Sequence, residues 1–121
     1  MSGWRTDTQI VTASGAQAPI PVFAPNSAAN WTGGFLQPAI LVLVSSGASL
    51  TYNIEVTGDI VLTNGYVPAN GIWVPFTGMS GLTATAVGTL GASVQGIRLN
   101  VTAYGSGTVS FQFIQMIGRG N

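Results

Sequence analysis

Six side chains of the 121-residue chain carry charge, and any ionic or acid–base chemistry must be built from Arg5, Asp7, Glu55, Asp59, Arg98 and Arg119. Glu55 and Asp59 are the two closest carboxylates. A glycosidase places such a pair about 5 to 9.5 Å apart across a sugar. Glu55 falls at an outward position of an alternating strand, and Asp59 follows Gly58 as turn chemistry, so the pair reads as solvated groups with Asp59 forming a turn. Arg98 is the lone charge between Asp59 and Arg119. Two roles stand open for it: an interface anchor, or a partner for Glu55 across a sheet that holds the register of two strands. Trp31 beside Gly33-Gly34-Phe35, Tyr66, and Trp73 near Phe76 have the stacking surface for a sugar ring, although packing is the commoner use of tryptophan. Asn30-Trp31-Thr32 and Asn100-Val101-Thr102 match the glycosylation sequon, a pattern expected by chance in a chain so rich in Asn and Thr.

The missing residue types narrow the chemistry further. Histidine, cysteine and lysine are absent, which leaves no ordinary transition-metal site, no His-activated nucleophile, no disulfide framework and no P-loop lysine. An enzyme, a cofactor and a metal are therefore not expected. The formal net charge is zero, and three arginines cannot line a phosphate backbone, so nucleic acid is not an expected partner. At 46% hydrophobic residues the chain is too apolar for disorder. Its longest aliphatic run, residues 39–44, is far short of the ~20 residues of a membrane helix. The stretch Met1-Ser-Gly-Trp-Arg-Thr-Asp7 has no apolar signal region, so synthesis in a cytoplasm is expected. Ser, Thr, Asn and Gln total 36 and Gly adds 17. A polar but uncharged surface is poorly protected against self-contact, as suits a subunit whose faces are covered in an assembly.

The periodicity that must position these residues is almost everywhere two. Leu50-Thr51-Tyr52-Asn53-Ile54-Glu55-Val56-Thr57 alternates strictly, predicting a strand with Leu50, Tyr52, Ile54 and Val56 inward. Ile97-Arg98-Leu99-Asn100-Val101-Thr102-Ala103 repeats the pattern. Gly105-Ser106-Gly107 then predicts a hairpin into Thr108-Val109-Ser110-Phe111-Gln112-Phe113. Residues 39–44 are apolar throughout, the signature of a strand covered on both faces, and 45–48 predict a second hairpin into the Leu50 strand. Weaker strands fall at 8–13, 20–23, 59–62, 72–76 and 82–90. Pro19, Pro21 and Pro25 confine the second of these to a sheet edge or an extended segment. No window carries a helical repeat. Seven to nine short strands predict an all-β, single-domain β-sandwich or jelly roll.

Residues 1–34 differ in texture from residues 35–121, the expected sandwich core. Gly and Pro interrupt Trp4, Ile20, Val22, Phe23 and Trp31, which predicts an extended N-terminal arm with short strands lying on a neighbouring subunit. Deleting residues 1–24 is then expected to leave a folded domain unable to assemble.

The strand Ser49-Leu50-Thr51-Tyr52-Asn53-Ile54-Glu55-Val56, the Trp73 segment, Ile97-Arg98-Leu99-Asn100-Val101, the Gly-Ser-Gly turn and a last strand ending near Gln115 together resemble small capsid cement or decoration proteins of tailed bacteriophages. The likeness covers residues 38–117. Members usually carry an acidic turn after the tyrosine strand, where this chain instead places residues 58–76. The resemblance implies a jelly-roll or β-sandwich virion protein without catalytic residues, which stabilises contacts between major capsid proteins. Its partners would be the major capsid protein and further copies of itself, as dimer or trimer. Its location would be the capsid surface, after synthesis in the cytoplasm of a bacterial host. The residues expected at interfaces are Trp4, Ile20, Val22, Phe23, Trp31, Phe35, Trp73 and Arg98. The alternative is a carbohydrate-binding or structural module of a phage fibre, neck or spike.

Overall fold

The computed structural model describes residues 3–23, 37–59, 71–91 and 94–117, and over them the chain is all-β and has no helix. The strands in order are β1 (Gly3–Val11), β2 (Gly15–Ala16), β3 (Ile20–Pro21), β4 (Ala39–Val44), β5 (Ser49–Thr57), β6 (Val74–Pro75), β7 (Ala86–Thr89), β8 (Gly96–Ser106) and β9 (Val109–Ile117). They form two antiparallel sheets. One runs β1-β9-β4-β7, and the other β2-β8-β5-β6, with β3 also paired to β8. The pairings nest: β1 meets β9, β2 and β3 meet β8, β4 meets β7, and β5 meets β6.

Alternation explains which side chains turn inward. Ile40 and Val42 of β4 and Val109, Phe111 and Phe113 of β9 leave the first sheet on one side. Leu50, Tyr52, Ile54 and Val56 of β5 and Ile97, Leu99 and Val101 of β8 leave the second, and all belong to one buried cluster. Each such side chain contributes on the order of 1.5 to 3 kcal/mol when fully buried. The inward positions expected for the Leu50 and Ile97 segments are those observed. Tyr52 brings a hydroxyl into this interior. It donates to the carbonyl of Ala84 at 2.7 Å, and burial pushes its pKa up to about 12.

Both expected hairpins are corrected by the sheet order. The turn at residues 45–48 leads from β4 in one sheet to β5 in the other, and the Gly105-Ser106-Gly107 turn leads from β8 to β9 in the same manner. Neither pair of strands shares hydrogen bonds. Glycine-rich reversals serve an arch between sheets as well as a hairpin within one, so turn chemistry alone does not select the partner strand. The two arches touch each other: Ser45 N–H donates to the Thr108 carbonyl at 2.9 Å, and Thr108 N–H donates to Ser45 Oγ at 2.9 Å. Gly107 has a φ of 98° and faces Ala48 so closely that a Cβ would collide with it, which is why glycine occupies this position.

The extended arm expected at the N-terminus meets a different arrangement over residues 3–23. β1 pairs with β9 from Gly3↔Ile117 to Val11↔Val109, and Val11 and Ile20 join the common core. Beyond β3 the chain is fixed by Gln115, a buried residue of β9. Its Nε2 donates to the Pro21 carbonyl at 2.8 Å and its Oε1 accepts from Phe23 N–H at 3.0 Å. As expected of a strand containing Pro21, β3 lies at a sheet edge, paired to β8 at Gly96 and Ile97. Residues 24–34 lie outside the described residues.

Candidate interaction surfaces

The two sheets turn very different outer faces to the surroundings. On the β1-β9-β4-β7 sheet, alternation that sends Val11, Phe111 and Val42 inward sends Trp4, Ile10, Leu41, Leu43 and Val87 outward. Trp4 is 55% exposed, Ile10 70%, Leu43 62% and Val87 73%. The neighbours between them are Thr6, Thr8, Ser110 and Gln112, so no outward residue of the four strands is charged. Thr8, Ile10, Leu41, Leu43, Val87 and Gln112 line a shallow depression across this face.

The residues 39–44, apolar throughout, predict a strand covered on both faces. The chain supplies one cover: Ile40 and Val42 are buried against the second sheet, while Leu43 points away from it. Among the described residues nothing covers the other side.

The outer face of the second sheet carries a polar cluster instead. Glu55 and Arg98 are register partners on β5 and β8, and Arg98 Nε and Nη2 both lie 2.7 Å from Glu55 Oε1. Asn100 Nδ2 donates to Glu55 Oε2 at 2.9 Å. The Arg98 guanidinium also stacks on Trp73, 4.3 Å from the ring centre. Glu55, expected to be a solvated group, is only 7% exposed. Burial by itself raises the carboxyl pKa. The hydrogen bonds from Asn100 and Arg98, the Arg98 charge and a further hydrogen bond from Asn53 together outweigh it and hold the group below its ordinary value. Of the two roles open to Arg98, partnership with Glu55 is the one this geometry displays.

Asp59 is engaged separately. Its Oδ2 accepts from Ile72 N–H at 2.8 Å and from Thr57 Oγ1 at 3.2 Å, tying the two ends of residues 59–72 together. That arrangement fits the expected turn role.

The residues anticipated at interfaces therefore divide. Trp4 stands exposed on the apolar face. Ile20 is buried in the core, Val22 packs against it, and Phe23 lies beneath the Arg5 guanidinium at 5.2 Å, so these three face their own chain. Trp73 and Arg98 are stacked on one another. Trp31 and Phe35 lie outside the described residues. Ile10, Leu41, Leu43 and Val87 were not anticipated; the signal for the β4 pair was the unbroken run 39–44, whose two-sided apolarity asks for a second cover. On the other sheet Ile72 and Val74 are also exposed. No helix among the described residues is long and apolar enough to cross a membrane. Comparison of the chain with protein-family models, with characterised proteins and with solved structures finds no match.

Proposed function

We propose that the protein is a structural, non-enzymatic virion subunit, a capsid cement or decoration protein that works by laying an uncharged sheet face against its partner. The exposed apolar face around Leu43, Ile10 and Val87 carries this reading. Isolated apolar side chains on a surface are ordinary, whereas a contiguous patch of them marks a contact surface. Four strands at ~4.8 Å spacing and six residues at ~3.4 Å give a face of about 400 Å², roughly half of what one partner buries in a standard protein interface. One face alone therefore binds weakly, and many copies on one shell gain by effective concentration.

A jelly-roll sandwich is the fold that suits this role, and the nesting of strand pairs supports it. With β2 and β3 counted as one interrupted strand, eight strands pair first with last, second with second-last and so on inward. That is a long antiparallel ribbon rolled into two four-stranded sheets. Fold alone does not assign function; the resemblance to phage cement proteins supplies the partner, the major capsid protein, and the location, the capsid surface.

The reading is tested by co-sedimentation of Leu43→Glu/Val87→Glu with shells stripped of the protein. The variant is expected to keep its circular dichroism spectrum and melting behaviour, because both positions are exposed, and to lose particle binding at least ~tenfold, since two buried unpaired carboxylates are costly. A folded variant that binds like the parent would refute the assignment of this face.

A further inference from the structure

The open edge of the first sheet points to a second copy of the chain as its occupant. β1 is hydrogen-bonded to β9 on one side, and its other side has no strand partner among the described residues. Natural sheets guard such edges with short strands, prolines, bulges or unpaired charges. The remaining edges here follow that practice. β2, β3 and β6 are two residues long, Pro21 and Pro75 sit in the latter two, and β7 has four residues. β1 has nine residues, no proline and an unbroken register with β9, and its two charges, Arg5 and Asp7, neutralise one another.

We infer that two copies pair antiparallel through β1, with Thr6 opposite the partner's Thr6. Charge selects this register. Arg5 and Asp7 are the charged residues of β1 and already bond within the chain at 2.8 Å. Pairing centred on Asp7 would set two carboxylates face to face, and pairing centred on Arg5 would oppose two guanidinium groups, both unfavourable. Pairing centred on Thr8 would leave Arg5 opposite the partner's Val11. Centred on Thr6, Arg5 faces the partner's Asp7 and Asp7 faces the partner's Arg5, on the same side of the sheet. Two reciprocal ion pairs then bracket the two-fold axis, as a self-complementary interface requires.

The pairing turns two four-stranded sheets into one of eight strands. The two apolar outer faces become continuous, and the surface offered to a third party grows from about 400 to about 800 Å², the scale of a standard interface on each partner. The inference rests on the reading of the protein as an assembly subunit, but its test uses the isolated protein, so capsid binding and self-pairing can fail separately.

The chain has no cysteine, so a single introduced thiol reports the register. Thr6→Cys is expected to form a disulfide-linked dimer on mild oxidation, because directly opposed residues place their Cα atoms about 4.5 to 5.5 Å apart, within a disulfide's reach. Thr8→Cys lies four residues from its counterpart, about 13 Å, and is expected to remain monomeric on a denaturing gel. Sedimentation of the unmodified protein is expected to give twice the chain mass. Asp7→Arg is expected to weaken that association at least ~tenfold by opposing like charges, and Arg5→Asp/Asp7→Arg to restore it. A wild-type protein that sediments as a monomer, equal crosslinking at positions 6 and 8, or no crosslinking at position 6 would each overturn the proposal.

Discussion

Replacing Arg98 by Met is expected to cost about 3 kcal/mol of stability at neutral pH. Breaking a buried ion pair by removing one partner typically costs ~3–5 kcal/mol, because the other charge stays buried without compensation. Arg98 retains some exposure, with its side chain 22% accessible against 9% for Glu55, which places the loss at the low end. Methionine keeps the volume and a favourable sulfur contact with Trp73, so the lost stacking adds little. Glu55 would keep the Asn100 bond on Oε2 and lose both the charge and the hydrogen bond that Arg98 supplies to Oε1. The assay is urea denaturation of Arg98→Met, Glu55→Gln and the double variant. Neutralising both is expected to recover about 2 kcal/mol relative to Arg98→Met, a coupling typical of residues in contact. The pH dependence carries the same logic. The folded protein holds the Glu55 carboxyl below its ordinary value, so the unfolded chain takes up the proton first on acidification. The stabilisation is complete above the ordinary glutamate range and is lost as pH falls through the folded value. Arg98→Met lacks the hydrogen bond and the charge of the guanidinium that hold the carboxyl down, so the gap between the two proteins should narrow as pH falls through the folded value. A loss under ~1 kcal/mol, or a double variant no more stable than Arg98→Met, would refute this account of the pair.

Deleting residues 3–11 is expected to abolish cooperative unfolding in a denaturant titration rather than release an intact domain, because β1 completes the ladder along β9 and Val11 belongs to the core. A sharp, parent-like transition would contradict that. Gln115→Leu is expected to cost about 2 to 4 kcal/mol in a thermal or chemical melt, since the Pro21 carbonyl and Phe23 N–H each lose their partner at roughly 1 to 3 kcal/mol apiece. Hydrogen exchange at Phe23 should accelerate before the rest of the molecule, and an unchanged rate would show that residue 115 is not the clamp.

The strand interiors were legible in the sequence because a half-buried strand records its orientation in side-chain type. Leu50, Tyr52, Ile54 and Val56 had one reading, and the structure buries them all. Partnerships between strands were not legible, since the glycine turns at 47 and 105–107 are compatible with pairing on either side of the core. Glu55 misled for a related reason. Alternation placed it on the outward side, but its burial depends on Arg98, Asn100 and Trp73, which arrive from distant parts of the chain. Gln115 did carry a signal, because it continues the inward alternation of Phe111 and Phe113; its role became visible only with Pro21 and Phe23 beside it. Ile10 and Val87 stood on strands whose periodicity was weak, where an apolar residue reads as inward by default.

The nesting of strand pairs also sets when this molecule can become itself. The partner of β1 is β9, the last described strand, so during synthesis β1 waits until every strand between them has been made before its ladder exists. Pairings such as β5 with β6 span far shorter loops, and closing a loop costs less the fewer residues it contains. Structure should therefore spread from the middle of the chain outward, with the two ends docking last. Chains dominated by such distant pairings acquire their structure on the order of milliseconds to seconds, and for that interval both strand edges and uncharged faces are open to neighbours. A protein with six charges has little electrostatic repulsion to keep nascent copies apart. Its yield in a cell should thus fall steeply with the rate at which it is made, and slower synthesis should rescue soluble product.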